Sequence, residues 1–438
     1  MSGNSNYTLC DSWNSSGREL GEFENTIKDV LEATTFDVVK PEDLRFFHRL
    51  DTEGTEGVHK MVAMSSNSLM DYENRLTAAA VNKGLTPPVP IVHNLSASKL
   101  QQQLADESFR SNGFLMASGN TPLYVAESAR STLLLRAGLK GDMAAQPSFY
   151  MTAAIVDALS RKGGEVTLTI RMVTDPETGK KHHKVFSFLS GKYQDIDMNI
   201  LLETIRAMTD STMGDPVTKW WYMDQNFTEI YVEFPQAADD YAAMYSLRDK
   251  VVPGLLLMSS DTGSCSVIAR GTARREGDNH YIVVEEYSHK HLGTVTPADI
   301  LKEIEEHINV KLRMLPDALV DKMGKTIGAG DVSTPAGVKA NTKAVAEAIK
   351  AGIKKLNLVK VLGCKRLSEL KNQILNEIDG HSVYTQYDLC ALFMGLSDRI
   401  EGLSRSHRLA LAAACGNAPF IDLDAPSGSS IVLMPEEF

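Results

Sequence analysis

The string Asp261-Thr-Gly-Ser264 contains the residue types that most directly suggest catalysis. Aspartic proteases use Asp-Thr-Gly because two such loops bring together two carboxylates that share one proton. A single chain needs a second copy of the motif, and Asp424-Ala-Pro-Ser-Gly is not one. Ser259 and Ser260 precede Asp261, where the protease motif follows a buried apolar strand. Because Asp-x-Gly is also a common turn sequence, the pattern favours a turn between strands over a catalytic carboxylate.

Phosphate-binding loops are a second kind of site that the sequence argues against. Gly191-Lys192 and Gly324-Lys325 resemble the end of such a loop, which needs a further glycine five positions earlier. Those earlier positions hold Phe186 and Leu319. These motifs therefore predict no nucleotide or other cofactor.

Two histidine pairs, His182-His183 and His289-Lys-His291, have a spacing that could bind a metal, since alternate residues of a strand share a face. Clustered carboxylates do not accompany them, so the pattern favours exposed polar positions and no metal. Cys265 lies in an apolar segment and is interpreted as a small core residue, not a nucleophile. These motifs assign no catalytic residue. An enzyme therefore ranks third among the functions considered for this chain.

Composition limits the class of protein further. The chain has 438 residues, of which 43% are apolar and 23% are charged, and its net charge is −11. This charge argues against a protein that is basic throughout and coats nucleic acid, but it does not exclude a local basic groove. The five cysteines are scattered, as in a reduced, cytosolic chain. With neither a signal peptide pattern nor an apolar stretch of membrane-spanning length, we expect a cytoplasmic protein without membrane contact.

The segment between 165 and 293 changes to the period-two pattern of β-strands. Two alternating runs flank the turn sequence Asp175-Pro-Glu-Thr-Gly179 and predict a hairpin. Four further runs follow, with short connections that favour antiparallel pairing. The sequence therefore predicts an α+β fold with a central antiparallel meander of about six strands, at 165–173, 184–189, 229–234, 254–260, 265–275 and 281–287.

Helical patterns flank this sheet on both sides. Apolar residues recur at helical spacing within 71–83, 96–112 and 147–161, and almost throughout the sequence after Thr296. The predicted organisation is a flexible arm (1–22), an α-rich N-terminal part (23–162), the antiparallel sheet core (163–323), a helical C-terminal part (336–420) and an acidic tail (421–438).

Basic residues are concentrated in two places. Between Pro335 and Leu375 nine lysines and arginines stand against two glutamates, and helical spacing places Lys343, Lys350 and Lys354 on one face. Such a face could follow a phosphate backbone, although a solvated helix surface has the same pattern. The residues predicted to contact nucleic acid are Lys343, Lys350, Lys354 and Lys355 on the helix, and Arg270, Arg274 and Arg275 on the sheet.

Three short elements carry a resemblance to a known family. The first is Leu189-Ser-Gly-Lys-Tyr-Gln-Asp-Ile-Asp197, the second runs from Pro253 to Ser266, and the third is His291-Leu-Gly293. The segment resembles phage/plasmid-like proteins grouped as domain of unknown function 932. The chain departs from that pattern where Ser259 replaces an Asn, and where Ala273-Arg-Arg-Glu-Gly-Asp-Asn279 lacks the family's Cys. The residues that match are Ser190, Tyr193, Asp197, Gly254, Ser260, Gly263, His291 and Gly293.

This resemblance implies an origin in a bacteriophage or plasmid, a bacterial host cell as the location, and no established enzyme activity. Together with the basic residues it predicts a non-enzymatic accessory protein that handles nucleic acid, in particular single strands, in replication or recombination. The alternative is an assembly or protein-interaction component without nucleic-acid contact. The partners considered are single-stranded DNA, phage or host proteins, and further copies of the chain.

Overall fold

The architecture combines two β-sheets with helices that pack between and beside them. A computed structural model describes residues 13–41, 44–50, 60–64, 114–118, 121–138, 158–159, 161, 163–174, 181–209, 213–328 and 331–423. The buried apolar side chains of both sheets and the helices form one continuous core. No helix among these residues is long and apolar enough to cross a membrane.

One sheet has six strands, all antiparallel, in the order β1-β9-β10-β11-β12-β13. Its two middle strands are buried on both faces, and Leu255 and Leu257 lie on the inner face, within the core. Gly271 lies on this face, where a Cβ atom would come within 2.9 Å of Ile308, so the glycine allows a helix to approach closely. The strands are β1 (Asn14–Gly17), β9 (Val217–Asp224), β10 (Thr228–Glu233), β11 (Val251–Ser259), β12 (Val267–Arg275) and β13 (Ile282–His289).

The other sheet has seven strands in the order β2-β7-β8-β6-β5-β3-β4, and only β6 and β8 pair in parallel. Its central hairpin, β7 with β8, is the longest antiparallel pair of the sheet. The strands are β2 (Thr34–Val39), β3 (Leu44–Leu50), β4 (Lys60–Met64), β5 (Phe114–Ser118), β6 (Thr121–Val125), β7 (Val166–Thr174) and β8 (Lys181–Ser190).

Ten helices cover the sheets within the described ranges. In the first half of the chain they are α1 (Leu20–Ala33), α2 (Glu127–Ala137), α3 (Asn199–Met208) and α4 (Pro235–Tyr245). In the second half they are α5 (Pro297–Ile304), α6 (Val310–Met323), α7 (Pro335–Lys355), α8 (Leu358–Asn376), α9 (Gln386–Met394) and α10 (Arg405–Cys415). A π-helical turn, Glu305–Asn309, joins α5 to α6, and a two-strand ribbon pairs β14 (Thr326–Ile327) with β15 (Tyr384–Thr385).

Local sequence signals explain where the C-terminal helices begin. Thr296 and Thr385 form capping boxes at the starts of α5 and α9, each with an aspartate three residues later. Thr334 caps α7 and Pro335 occupies its first position, where a missing N–H costs nothing. Gly363 interrupts α8 with a φ of 74°, so this helix is kinked.

The α+β class, the antiparallel six-stranded sheet and the helical C-terminal part are confirmed. The membership of the sheet differs from the prediction, because the hairpin β7–β8 belongs to the seven-stranded sheet. Strand β9 takes a place in the six-stranded sheet that the sequence did not predict. Its residues Trp220, Trp221 and Tyr222 are all aromatic, so apolar and polar positions do not alternate there.

Two predicted boundaries need correction. Residues 14–17 of the predicted flexible arm form an edge strand on β9, since backbone pairing needs no apolar pattern, and α1 begins at Leu20. The segment 23–162, predicted to be α-rich, contributes β2 to β6 in its described part, because short strands are held by distant partners and leave little local signal. The helices predicted within 71–83 and 96–112, most of 147–161, and the tail beyond Leu423 lie outside the described residues.

Candidate functional site

A buried ion pair joins the two sheets. Arg171 on β7 is 1% exposed, and its Nη2 lies 2.5 Å from both carboxylate oxygens of Asp261, which follows β11. Arg171 also donates to the Gln225 carbonyl and to the Thr34 hydroxyl, and its guanidinium lies over the Phe186 ring. A buried charge needs such partners, because desolvation of an unpaired ion is very costly. We call this region, with Tyr193, Ser260 and His291, the inter-sheet junction.

The turn that holds Asp261 is built from its small polar neighbours. The Ser260 hydroxyl oxygen accepts hydrogen bonds from the backbone N–H groups of Thr262 and Ser264. The Asp261 carbonyl accepts from the Thr169 hydroxyl of β7 at 3.1 Å. Gly263 has a φ of 74°, and a Cβ atom there would meet Leu189 at 2.6 Å. The Asp-Thr-Gly string is therefore a turn between strands whose carboxylate anchors a second sheet.

Tyr193 and His291 form the second layer of the inter-sheet junction. Their rings stack with centroids 5.2 Å apart, and the Tyr193 hydroxyl lies 3.2 Å from His291 Nδ1 and 3.3 Å from the Ser260 carbonyl. Burial raises the pKa of Tyr193, so the phenol stays protonated and can donate to that carbonyl. The backbone adds a bridge between Tyr193 and Leu292. This bridge joins the segment that follows β8 in one sheet to the segment that follows β13 in the other.

The charged groups of the inter-sheet junction contact one another. Asp261 is paired with Arg171, and burial together with the Asp261 carboxylate raises the pKa of the nearby Asp195 to about 6. Cys265, predicted to be a core residue, is half-buried in the turn before β12, and burial raises the pKa of its thiol to about 11. Among the residues that the structure describes, no three His, Cys, Asp or Glu side chains are grouped to hold a metal ion. The arrangement is suited to holding two sheets in register.

The other residues of the family resemblance have local roles. The Ser190 hydroxyl accepts from the Lys192 N–H, and Asp197 accepts from the Asn199 N–H before α3. Gly293 has a φ of 107° in the turn after His291. Gly254 lies elsewhere, on the outer face of the six-stranded sheet, where a Cβ atom would clash with the Val232 carbonyl at 2.6 Å. The structure thus brings Tyr193, Ser260, Gly263 and His291 together at the inter-sheet junction. Gly254 lies elsewhere, beside Tyr231.

We expect His291 to make the protein less stable in mild acid. Burial lowers the pKa of His291 in the folded protein, so the unfolded chain takes up this proton first as the pH falls below about 6.5. Its contribution to stability is complete above that pH and is lost below it. The melting temperature should therefore fall between pH 7.5 and pH 5.5, measured by circular dichroism.

His291→Phe keeps the ring stack but cannot titrate, so its melting temperature should fall less over the same pH range. His183→Phe is the control, because His183 is exposed on β8 and its replacement should leave the wild-type pH dependence intact. Equal falls in wild type and His291→Phe would contradict the assignment.

A well-formed cleft lies on the outer face of the six-stranded sheet, opposite the core. Helix α10 forms its other wall, and its volume is about 630 Å³. This volume lies within the range of small-molecule sites. We call it the aromatic cleft. It is lined by Arg18, Lys219, Trp220, Tyr231, Glu233, Arg274, Asp278, Asn279, His280, Tyr281, Arg405, Arg408, Leu409 and Ala412.

Three aromatic rings form the floor of the aromatic cleft. Trp220 on β9 and Tyr231 on β10 are neighbours across the ladder, with ring centroids 6.1 Å apart. Tyr281, before β13, lies 4.7 Å from Tyr231. Tyr231 is almost fully buried, whereas Trp220 and Tyr281 are half-buried and border the open space. Planar ring systems of a ligand can stack on such partly exposed aromatic faces.

A buried carboxylate organises one side of the aromatic cleft. Glu233 is 2% exposed and accepts two hydrogen bonds from Arg274, at 2.7 and 2.9 Å, and one from the Tyr231 hydroxyl at 2.9 Å. Lys219 lies 3.5 Å from the same carboxylate. Burial alone would raise the pKa of Glu233, but these donors outweigh it and hold the pKa below its ordinary value. Glu233 therefore stays ionised and fixes Arg274 in place.

Helix α10 presents two arginines to the aromatic cleft from its first turn. Arg405 lies over the Trp220 ring and forms an ion pair with the buried Glu229. Arg408 contacts His280 Nε2, while Asp398 contacts His280 Nδ1. His280 thus lies between Asp398 and Arg408 and positions Arg408 at the edge of the cleft.

The three sheet arginines predicted to contact nucleic acid separate in the structure. Arg274 lines the aromatic cleft. Arg270 lies further along the same face and pairs with Glu286 at 2.6 Å. Arg275 points to the other side of β12 and pairs with Asp278. One of the three thus reaches the cleft, and it does so already bound to a carboxylate.

The predicted lysines lie together on α7, away from the aromatic cleft. Lys343, Lys350 and Lys354 are exposed on one side of this helix, whose other side buries Val345 and Ile349. Lys350 pairs with Glu347 at 2.7 Å. Lys355 is half-buried and donates to the Asp422 carbonyl. The helical face predicted from the spacing is therefore present, with Lys355 at its border.

Apart from Arg274, sequence reasoning missed the residues that build the aromatic cleft. The Trp220-Trp221-Tyr222 run was a usable signal, since alternate residues of one strand place Trp220 and Tyr222 on the same face. The alternation in β10 likewise places Glu229, Tyr231 and Glu233 on one face. Arg405 and Arg408 gave no signal, because their partners are distant in sequence.

The chain was also compared with family models, with curated proteins and with solved structures. None of these three comparisons finds a match. The resemblance to domain of unknown function 932 accordingly stays a hypothesis. We therefore infer a function from the geometry of the side chains.

Proposed function

We propose that this protein binds single-stranded nucleic acid and stacks an unpaired base in the aromatic cleft. The observation that carries the proposal is the placement of Trp220 and Tyr281, both half-buried, beside five cationic side chains in one cleft. Base stacking on aromatic rings combined with cations that follow the phosphates is the usual chemistry of single-strand binding. Aromatic rings alone would suit any apolar ligand, and cations alone any anion.

The geometry favours single strands over a duplex. In a duplex the faces of each base are covered by its neighbours, so a base can reach Trp220 only when it is unpaired. Helix α10 and the sheet enclose the aromatic cleft from two sides, which leaves room for a base and its phosphate but not for a double helix. Sequence-tolerant binding is expected, because every base has a ring face that can stack.

The lysine face of α7 supplies a second, purely ionic surface in this proposal. Lys343, Lys350 and Lys354 would contact phosphates that lie outside the aromatic cleft. The biological setting that fits is an accessory role in replication or recombination, in line with the resemblance to phage and plasmid proteins. The proposal does not require an enzyme activity.

A salt titration tests the proposal directly. Fluorescence anisotropy of labelled single strands and of the matching duplex should show tighter binding of the single strands, with dissociation constants of about micromolar or lower at roughly 50 mM salt. Absence of single-strand binding at that salt concentration would overturn the proposal and favour an assembly component without nucleic-acid contact.

Reversal of three α7 charges should flatten the salt dependence of binding. In Lys343→Glu/Lys350→Glu/Lys354→Glu, three phosphate contacts are lost, so the slope of log affinity against log salt should decrease by about 2 for single strands. A matched variant, Lys28→Glu/Lys181→Glu/Lys302→Glu, changes the net charge equally at exposed positions elsewhere. If both variants alter the slope alike, net charge and not the α7 face is responsible.

A further inference from the structure

Arg405 and Arg408 place two cations at the start of α10, and the carboxylate of Glu229 balances one of them. Both lie in the first turn of the helix, three residues apart on one face, and both line the aromatic cleft. The N-terminal end of a helix carries partial positive charge, so cations there are repelled and anions are attracted. A ligand anion between the two guanidiniums would relieve this repulsion.

The two arginines differ in how their charge is balanced. Arg405 pairs with the carboxylate of Glu229. Arg408 contacts the His280 ring instead, and within the described residues no ion pair joins it to a carboxylate. The hydrogen bond to His280 orients the guanidinium while leaving its charge and other N–H groups for a further partner. Arg408 is thus held in place without being neutralised.

The charge around the aromatic cleft favours an anion with more than one negative charge. Five cations, Arg18, Lys219, Arg274, Arg405 and Arg408, line it together with the carboxylates Glu233 and Asp278. Because Glu229 pairs with Arg405, the cations exceed these three carboxylates by two. A phosphodiester within a strand carries one negative charge, whereas a terminal phosphomonoester carries about 1.5 to 2 at neutral pH. Arginine pairs bind such groups strongly through several N–H donors.

We propose that the aromatic cleft recognises a terminal phosphomonoester next to a stacked base. Arg408 and Arg405 bind the phosphate, and Trp220 or Tyr281 stacks on the adjacent base. This inference rests on the proposed function and narrows its substrate from any single strand to a phosphorylated strand end. The same phosphomonoester chemistry occurs in a free nucleoside monophosphate, so the test must separate the two sources.

The test measures the binding of six ligands to the full-length protein. Four are labelled oligonucleotides of one sequence: with a 5′-phosphate, with a 3′-phosphate, with hydroxyl groups at both ends, and circular. The other two are adenosine monophosphate and adenosine, which are compared by calorimetry. One phosphorylated oligonucleotide should bind about tenfold or more tightly than the hydroxyl and circular forms, since charge-assisted hydrogen bonds to arginine are the strong ones. Which of the two ends is preferred identifies the polarity of the strand.

Arg408→Gln should reduce the ratio of the affinities for phosphorylated and hydroxyl oligonucleotides to about one. The reason is that one of the two guanidiniums that bind the phosphate is lost. Arg405→Gln should lower the same ratio and serves as a second variant if Arg408→Gln folds poorly, as judged by its melting temperature. Arg206→Gln is the matched control, because this exposed arginine on α3 pairs with Glu24 far from the cleft and should leave the ratio unchanged.

The possible results separate this inference from the proposed function. Equal affinity for all four oligonucleotides overturns the phosphomonoester site while single-strand binding stands. If no oligonucleotide binds but adenosine monophosphate binds better than adenosine, the phosphomonoester site stands with a free nucleotide as its ligand, and the proposed function fails. If neither class of ligand binds, both proposals fall.

Discussion

Asp261→Ala should destabilise the protein by about 3–5 kcal/mol, the largest loss that we expect from a single substitution. The change removes the carboxylate that balances Arg171, which is 1% exposed and cannot regain water without separating the two sheets. Arg171→Met should cost a comparable amount, because it leaves Asp261 buried without its cation. Urea unfolding followed by circular dichroism measures both losses.

The double variant Arg171→Met/Asp261→Ala tells whether each single variant loses stability because of an unpaired buried charge or because of lost packing. With neither charge present, the loss in its free energy of unfolding should be well below the sum of the two single losses, since most of each single loss is desolvation of the remaining ion. Arg206→Ala is the surface control, because the Arg206–Glu24 pair is exposed and should contribute less than about 1 kcal/mol. A change in Asp261→Ala as small as in this control would contradict the anchoring role.

Trp220→Ala should weaken single-strand binding about 5- to 150-fold, which corresponds to roughly 1–3 kcal/mol for one stacked base. The substitution removes the half-exposed ring of the cleft floor and the surface over which Arg405 lies. Because stacking is not ionic, the affinity should fall at every salt concentration while the salt slope stays the same. Anisotropy titrations at several salt concentrations measure both quantities.

Two further variants control this prediction. Trp220→Phe retains a stacking face and should recover most of the affinity. Tyr245→Ala removes a half-buried aromatic side chain from α4, outside the aromatic cleft, and should bind as the wild type does. Wild-type affinity in Trp220→Ala would show that nucleic acid binds elsewhere, with the α7 lysines as the next candidate.

The parts of the fold that the sequence predicted are those encoded locally. The hairpin β7–β8 is confirmed because alternation and turn residues lie within one short segment. Helix α7 has Thr334 as its cap and Pro335 at its first position, and both residues favour a helix start. Strands β1 and β2 were missed because their pairing partners, β9 and β7, are far along the chain. Their own residues carry no clear period.

The candidate sites were less predictable, because each is assembled from distant segments. Arg171 in the string Ile-Arg-Met reads as an outward-facing polar residue, and only its proximity to Asp261 explains its burial. The aromatic cleft combines β9, β10 and α10, and its cations from α10 could not be matched to Trp220 by spacing. Sequence alone placed the α7 lysines correctly, since a helical face depends on local periodicity.

The first described segment belongs to both sheets, and this affects how the chain folds during synthesis. Strand β1 pairs with β9 at Asn14↔Asp224, and β2, one helix later, pairs with β7 at Thr34↔Arg171. On the ribosome neither pairing can form until its distant partner has emerged, and such contacts form slowly because the chain must close a long loop. Until their partners emerge, β1 and β2 therefore have unpaired edges. Nascent chains can associate with one another through such edges.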